Sequence, residues 1–385
     1  MDAPRTSSLR RRTLLAAAGA AVATASAATG AQRAAAAPLH HPHRPPHRQP
    51  ELTSRQLAGQ RVVYSYPGLT PPAALLDAIR AGEVAGVIFF GENISSDAQI
   101  TSVIGQLNQA NVSGPVRLPL LLMTDQEGGE VRRLPGAPAQ SEKQIGEAGD
   151  PAGAASTAGT QAGQNLAGVG MNVNLAPVLD VYRTAGNFID EYQRSYSMDP
   201  AVVSSCGHAF IEAQQKTGVA ATAKHFPGLG AATTSQNTDE GPVTLTQGLS
   251  ELRSVDEAPY TAAVCAGVRL VMCSWAVYPA LDAGRPAGLS SVVVQRELRQ
   301  RLGFTGVTIT DALEAGAIDP SYDTGTRAVL AATAGMDLLL CSARDASQGA
   351  DAVTALASAL GSGQLPTAAF DAAVERVTAL REWVG

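Results

Sequence analysis

Clustered lysines and arginines are missing from the chain beyond residue 50. The first fifty residues hold seven Arg, four of the six His and one Asp, with no Lys or Glu, which leaves 21 basic against 33 acidic residues in the rest, a formal charge of about −12. Counterion release needs grouped cations, so a nucleic-acid partner is excluded. No cysteine follows the N-terminal apolar stretch, which argues against a lipid anchor. The four cysteines, Cys206, Cys265, Cys273 and Cys341, lie far downstream. Three sit in apolar runs, where a small buried side chain is the default, and no essential disulfide is expected. The acids and histidines lack zinc-like spacing, so neither a metal nor an organic cofactor is expected.

At the N-terminus, Ser8-Leu9-Arg10-Arg11-Arg12-Thr13-Leu14-Leu15 precedes a mildly apolar, Ala-rich run to Ala28. Charged region, apolar region and small residues come in the order of a twin-arginine export signal. The run is too short and too Ala-rich for a membrane span. Residues 1–38 are therefore read as a signal peptide, with no integral membrane segment left after its removal. Residues 39–55 are read as a Pro/His-rich linker, in which His40, His41, His43 and His47 are simply solvated. That leaves residues 56–385 as one domain, expected to be monomeric.

Eight short β-branched or apolar runs follow: Arg61–Tyr66, Ala85–Phe90, Leu118–Thr124, Met171–Leu175, Val219–Ala223, Val268–Ser274, Gly306–Thr310 and Met336–Cys341. Helical spacing fills Pro72–Ala81, Ile100–Ala110, Gly153–Ala167, Pro200–Thr217, Leu249–Ala266, Val292–Leu302 and Gly325–Ala334, with Thr367–Trp383 as a closing helix. Strand and helix alternating eight times point to an α/β fold of the (β/α)8 TIM-barrel type. A doubly wound open sheet fits less well, because no G-x-G-x-x-G follows the first strand.

Chemistry in such a barrel is carried at the C-terminal ends of strands. The third run is followed by Asp125-Gln126-Glu127-Gly128-Gly129, the fifth by Lys224-His225-Phe226-Pro227-Gly228 and the seventh by Asp311-Ala312-Leu313. Any one of these has a bland explanation as a helix cap or a surface pair. Three together deliver ionisable groups to one rim. The two glycines after Glu127 suggest a loop whose backbone approaches something closely.

DQEGGEVRRL (125–134), RSYS (194–197), KHFPGLG (224–230) and GFTGVTITDAL (303–313) resemble glycoside hydrolase family 3, in its single-barrel β-N-acetylhexosaminidase branch. The resemblance runs from about Leu57 to Leu340, in the same motif order. It implies a carbohydrate substrate and a retaining mechanism, with Asp311 as nucleophile. It also implies that Asp125, Arg133, Arg194, Lys224 and His225 hold the hydroxyls of the innermost sugar.

Retaining hydrolysis needs a second group that protonates the leaving oxygen and later deprotonates water. In this branch that group is a His paired with an Asp in the loop after the KHFPGHG string. Here the loop reads GLGAATTSQNTDEGP, with Leu229 in place of the usual His. His208, in mid-helix, reads as structural. Three readings stay open: Asp239 or Glu240 supplies the acid, only activated substrates turn over, or the protein binds sugar without hydrolysing it. Trp275 stands where the branch usually has a His, and would either stack on a sugar ring or fill the barrel mouth. The expected activity is that of an exported exo-glycosidase releasing terminal β-N-acetylglucosamine from cell-wall or chitin fragments. A β-glycosidase of other sugar specificity and a non-catalytic carbohydrate-binding protein are the alternatives.

Overall fold

The computed structural model describes residues 52–385. The expected signal peptide and most of the linker lie outside them. Eight parallel strands close into a barrel in chain order: β1 Val62–Tyr64, β2 Gly86–Ile88, β3 Leu121–Thr124, β4 Val173–Asn174, β5 Ala220–Phe226, β6 Leu270–Cys273, β7 Val307–Ala312 and β8 Leu338–Leu340. β8 returns to β1 through the pairs Val62–Leu339 and Val63–Leu340. All eight apolar runs of the sequence are barrel strands. No helix among the described residues is long and apolar enough to cross a membrane.

Side chains alternate across each strand, so every strand contributes to two cores. Val63, Ile88, Leu121, Met123, Leu270, Met272, Val307, Ile309, Leu338 and Leu340 fill the lumen. Their neighbours Val62, Tyr64, Val87, Leu122, Val271 and Leu339 pack outward among the helices. The same alternation carries the rim. Residue 125 continues the inward set 121 and 123, residue 224 continues 220 and 222, and residue 311 continues 307 and 309.

The closing helix spans Thr367–Trp383 as expected. Its Val377 and Leu380 join the lumen core from below, with Trp383 and Val384 packed against it. Arg381 fixes this plug: it is fully buried and donates from Nε to Pro119 O at 2.7 Å and from Nη2 to Leu118 O at 2.8 Å.

Among the departures from the sequence expectation, three concern the helices around the barrel. A helix at Ser54–Gly59, capped by Thr53 through a capping box with Gln56, begins inside the stretch read as linker. A helix at Ala346–Gly361 follows β8, where none was expected. The span Leu249–Ala266 is broken into a short α turn, a π turn at Leu252–Asp256 and an α helix at Ala258–Cys265; Pro259, which lacks an N–H, sits at the break. All four cysteines are free, three of them buried. His208 lies on the helix Pro200–Gln215 with Nδ1 3.2 Å from Ala262 O.

Candidate active site

A cavity of about 750 Å³ opens at the C-terminal mouth of the barrel. Its lining includes Asp125, Arg133, Arg194, Lys224, His225, Asp239 and Asp311, which arrive from loops and strands spread over nearly two hundred residues. Below them lies an apolar floor formed by Ile88, Leu175, Met272 and Leu340.

The most tightly built part is a cluster of four charges. Lys224 is buried, with Nζ 2.7 Å from Asp125 Oδ1 and 2.7 Å from Glu127 Oε1. Arg194 forks onto the same Glu127, Nε to Oε2 and Nη2 to Oε1, both at 2.9 Å. Burial alone would raise the Glu127 carboxyl, but Arg194 and Lys224 together hold it down at about 2. Burial would likewise lower both cations. Their carboxylate partners outweigh it and raise the pKa of Arg194 and of Lys224. Removing one member of such a set leaves a buried charge uncompensated, at a cost of roughly 3–5 kcal/mol.

Glu127 escaped the sequence reading as a site residue, although it stands two positions from Asp125. The adjacent glycines explain its placement. Gly128 and Gly129 have φ of +119° and +56°, and a Cβ on either would lie within 2.6 Å of Gln140 or Ser141. The close approach is to the protein's own segment 140–141. That segment leads into the buried Glu142, whose Oε1 accepts from Val178 N at 3.0 Å. Burial and the neighbouring Glu127 push Glu142 well above the usual carboxylate range.

His225 is joined to Lys224 by a cis peptide bond, and both side chains line the cavity. The imidazole Nδ1 donates to Asp180 Oδ2 at 2.7 Å, while Asp180 Oδ1 also accepts from Leu229 N at 2.6 Å. Asp180 is completely buried. It falls five residues beyond the fourth apolar run, the place to look for a partner of a rim histidine. With Nδ1 engaged, His225 has only Nε2 left for the cavity.

Asp311 ends the inward set of β7 and accepts from Ala312 N through Oδ1 at 2.8 Å. Asp239 approaches from the loop after β5. Its carboxyl is raised to about 6, first by partial burial and then by the charge of Asp311, against the opposing pull of His225 and Arg194. Glu240, its neighbour in the chain, is absent from the cavity lining; its Oε1 accepts instead from Asn237 Nδ2 at 3.1 Å. The two candidate acids thus part company. Arg133 lines the mouth, and its guanidinium makes no hydrogen bond among the described residues.

Trp275 does not present a stacking face. It is completely buried outside the cavity lining, with Nε1 donating to Ala312 O at 2.8 Å and its ring against Gly288. It fills the barrel wall beside the strand that bears Asp311. Aromatic surface at the mouth comes instead from Phe90, Phe188 and the half-exposed Tyr192.

No group of three or more metal-ligating side chains occurs among the described residues. What the arrangement offers is one carboxylate at the end of β7, a second whose carboxyl is raised by burial and by the first, and an array of charged groups suited to hydroxyls.

Residues 56–380 match the family model described as glycosyl hydrolase family 3 N terminal domain. The chain is 48% identical over 326 residues to an uncharacterized secreted glycosyl hydrolase of Arthroderma benhamiae, covering 84% of this chain and 92% of that one. Among solved structures, a glycoside hydrolase family 3 β-N-acetylglucosaminidase from a Paenibacillus species superposes with a TM-score of 0.81 at 34% identity, covering 87% of this chain and 63% of that one. A β-N-acetylhexosaminidase from Beutenbergia cavernae gives 0.78 at 33% identity, covering 86% of this chain and 99% of that one.

Proposed function

The chain belongs to glycosyl hydrolase family 3, and from that premise we propose that it is a retaining exo-glycosidase that releases terminal β-linked N-acetylglucosamine from cell-wall or chitin fragments. The acetamido sugar is supported by the names of the Paenibacillus and Beutenbergia relatives. Export is supported by the order of residues 8–28 and by the secreted relative of Arthroderma benhamiae. The observation that carries the chemical reading is the meeting of Asp311 and Asp239 at one cavity, the first raising the carboxyl of the second.

In the first step a carboxylate oxygen of Asp311 attacks the anomeric carbon, while Asp239 gives its proton to the departing glycosidic oxygen. The product is a glycosyl ester on Asp311 and a released alcohol. In the second step Asp239, now ionised, takes a proton from water, whose oxygen attacks the anomeric carbon and frees Asp311. Lys224, Arg194, Asp125, Arg133 and His225 hold the sugar hydroxyls, and the Glu127 network keeps the first two in place. One further observation favours a second proton donor. His225 is held by Asp180 with Nε2 free, which is the pairing a histidine acid would need.

A 2-fluoro sugar with a good leaving group should label Asp311, as read by peptide mass spectrometry; an active enzyme carrying its label elsewhere refutes the assignment. Asp239→Ala should lose about 10²- to 10⁴-fold in rate on a poor leaving group and far less on a good one. If His225→Gln shows that selective loss and Asp239→Ala does not, the proton comes from the imidazole. The wild-type rate on the poor leaving group should fall as pH rises through about 6, because Asp239 must be protonated to act. If neither variant turns over less than wild type, because wild type itself shows only saturable binding, the protein is a carbohydrate binder.

A further inference from the structure

The loop that bears Asp239 is fastened to the loop that follows Asp311. Gly316 N donates to Asp239 O at 2.9 Å and Ala317 N donates to Thr238 O at 3.0 Å, two adjacent main-chain rungs between the loop after β5 and the loop after β7. The β7 side is itself tied down. Leu313 N donates to Leu340 O at 2.9 Å, and Arg327 Nη1 donates to Leu313 O and Ala315 O at 3.0 and 3.3 Å. On the β5 side, Asn237 makes a local turn in which its Oδ1 accepts from Asp239 N at 2.9 Å. The middle of that loop, Thr233–Ser235, is exposed and has no comparable tie to the barrel. Past Asp239 the loop is tied again, Val277 N donating to Val243 O and Leu245 N to Val277 O, both at 2.9 Å, but the two rungs are the main-chain bonds that join residues 238 and 239 to the loop after β7.

Residue 316 has no room for a side chain. A Cβ there would lie 2.5 Å from Glu240 O, 2.6 Å from Glu240 C and 2.9 Å from Asp239 O, all main-chain atoms that cannot swing aside. The φ of Gly316 is not in the left-handed region, so the constraint is one of contact alone. Any larger residue must push the 239–240 backbone away from β7.

We infer that Gly316 is a positioning residue for catalysis: by admitting the Asp239 backbone to within hydrogen-bond distance, it sets how far the proton donor stands from the nucleophile. The inference rests on the reading of Asp239 as acid/base. Retaining enzymes need their two carboxyl groups about 5–5.5 Å apart, so a displacement of an ångström matters to this step while leaving sugar binding by Lys224 and Arg194 intact. The groups that face Asp239 are Asp311, His225, Arg194 and Glu314. Moving Asp239 outward weakens the influence of Asp311 and returns its carboxyl toward the ordinary range.

The test compares Gly316→Ala with Asp239→Ala on aryl glycosides of good and poor leaving groups. Gly316→Ala should lose roughly 10- to 10²-fold on the poor one and under about twofold in labelling of Asp311 by the 2-fluoro sugar, which needs no proton donor. Its pH limb should move to lower pH than that of wild type. Added azide, which attacks the anomeric carbon without needing deprotonation, should speed turnover of the glycosyl ester in both variants. Ala317→Pro, which deletes the donor of the second rung, should reproduce the pattern, and it decides the matter alone if Gly316→Ala fails to label. Selective loss in Asp239→Ala with equal or no loss in the rung variants overturns the role of Gly316. No selectivity in Asp239→Ala overturns the acid/base reading and this inference with it.

Discussion

The two ends of the barrel both bury clusters of charge, and they use them differently. At the N-terminal end, Asp337 accepts from Arg299 Nη2 at 2.5 Å and from Arg376 Nη2 at 2.8 Å, and Arg61 lies over the Phe370 ring while donating to the carbonyls of Met336 and Asp337. Val377 and Leu380, on the same helix as Arg376, belong to the lumen core, and none of these charged residues lines the cavity at the opposite mouth. At the C-terminal end, Lys224, Arg194, Asp125 and Glu127 are linked as closely, yet beside them Arg133, Asp239 and Asp311 open onto 750 Å³ of free space. A buried ion pair is therefore not by itself a site. What separates function from support is charge left over after the pairing is complete.

Glu127→Ala should give the largest effect, because it strikes both roles. It leaves Lys224 and Arg194 without their shared carboxylate, and activity should fall by about 10²-fold or more through misplacement of both, with stability lower by roughly 3–5 kcal/mol in denaturant unfolding. Asp337→Ala sharpens the contrast from the other end. Stability should fall by a similar ~3–5 kcal/mol while kcat on a good leaving group stays within about twofold of wild type. A large loss of kcat in that variant, measured well below its unfolding midpoint, would break the division between the ends. Trp275→Phe should do least: it removes the hydrogen bond to Ala312 O, worth about 1 kcal/mol, and leaves KM for sugar unchanged. A clear rise in KM would restore the indole to the binding face.

The strands were legible because each is a short apolar run whose alternate residues face two different cores, a pattern that depends on near neighbours only. The rim positions of Asp125, Lys224 and Asp311 follow from the same period. The helix Ala346–Gly361 was hidden by its composition: small residues such as Ala352 and Ala359 cover much of its buried face, and they give little contrast with the exposed one. The pairing of Glu127 with Arg194, and of Asp180 with His225, joins residues far apart in the chain, and no local period encodes it. Asp239 and Glu240 are adjacent in sequence and alike in chemistry. One lines the cavity and the other bonds to Asn237, a difference set by main-chain contacts with residues 316 and 317 that lie far along the chain. The direction of Trp275 depends in the same way on Ala312 and on the bare backbone of Gly288.

The helix that plugs the barrel ends beside Pro119, on the side remote from the catalytic mouth. A bead, a surface or a partner module joined after Gly385 would thus grip the molecule by its sealed base. The cavity at the opposite mouth would then be turned away from the point of attachment.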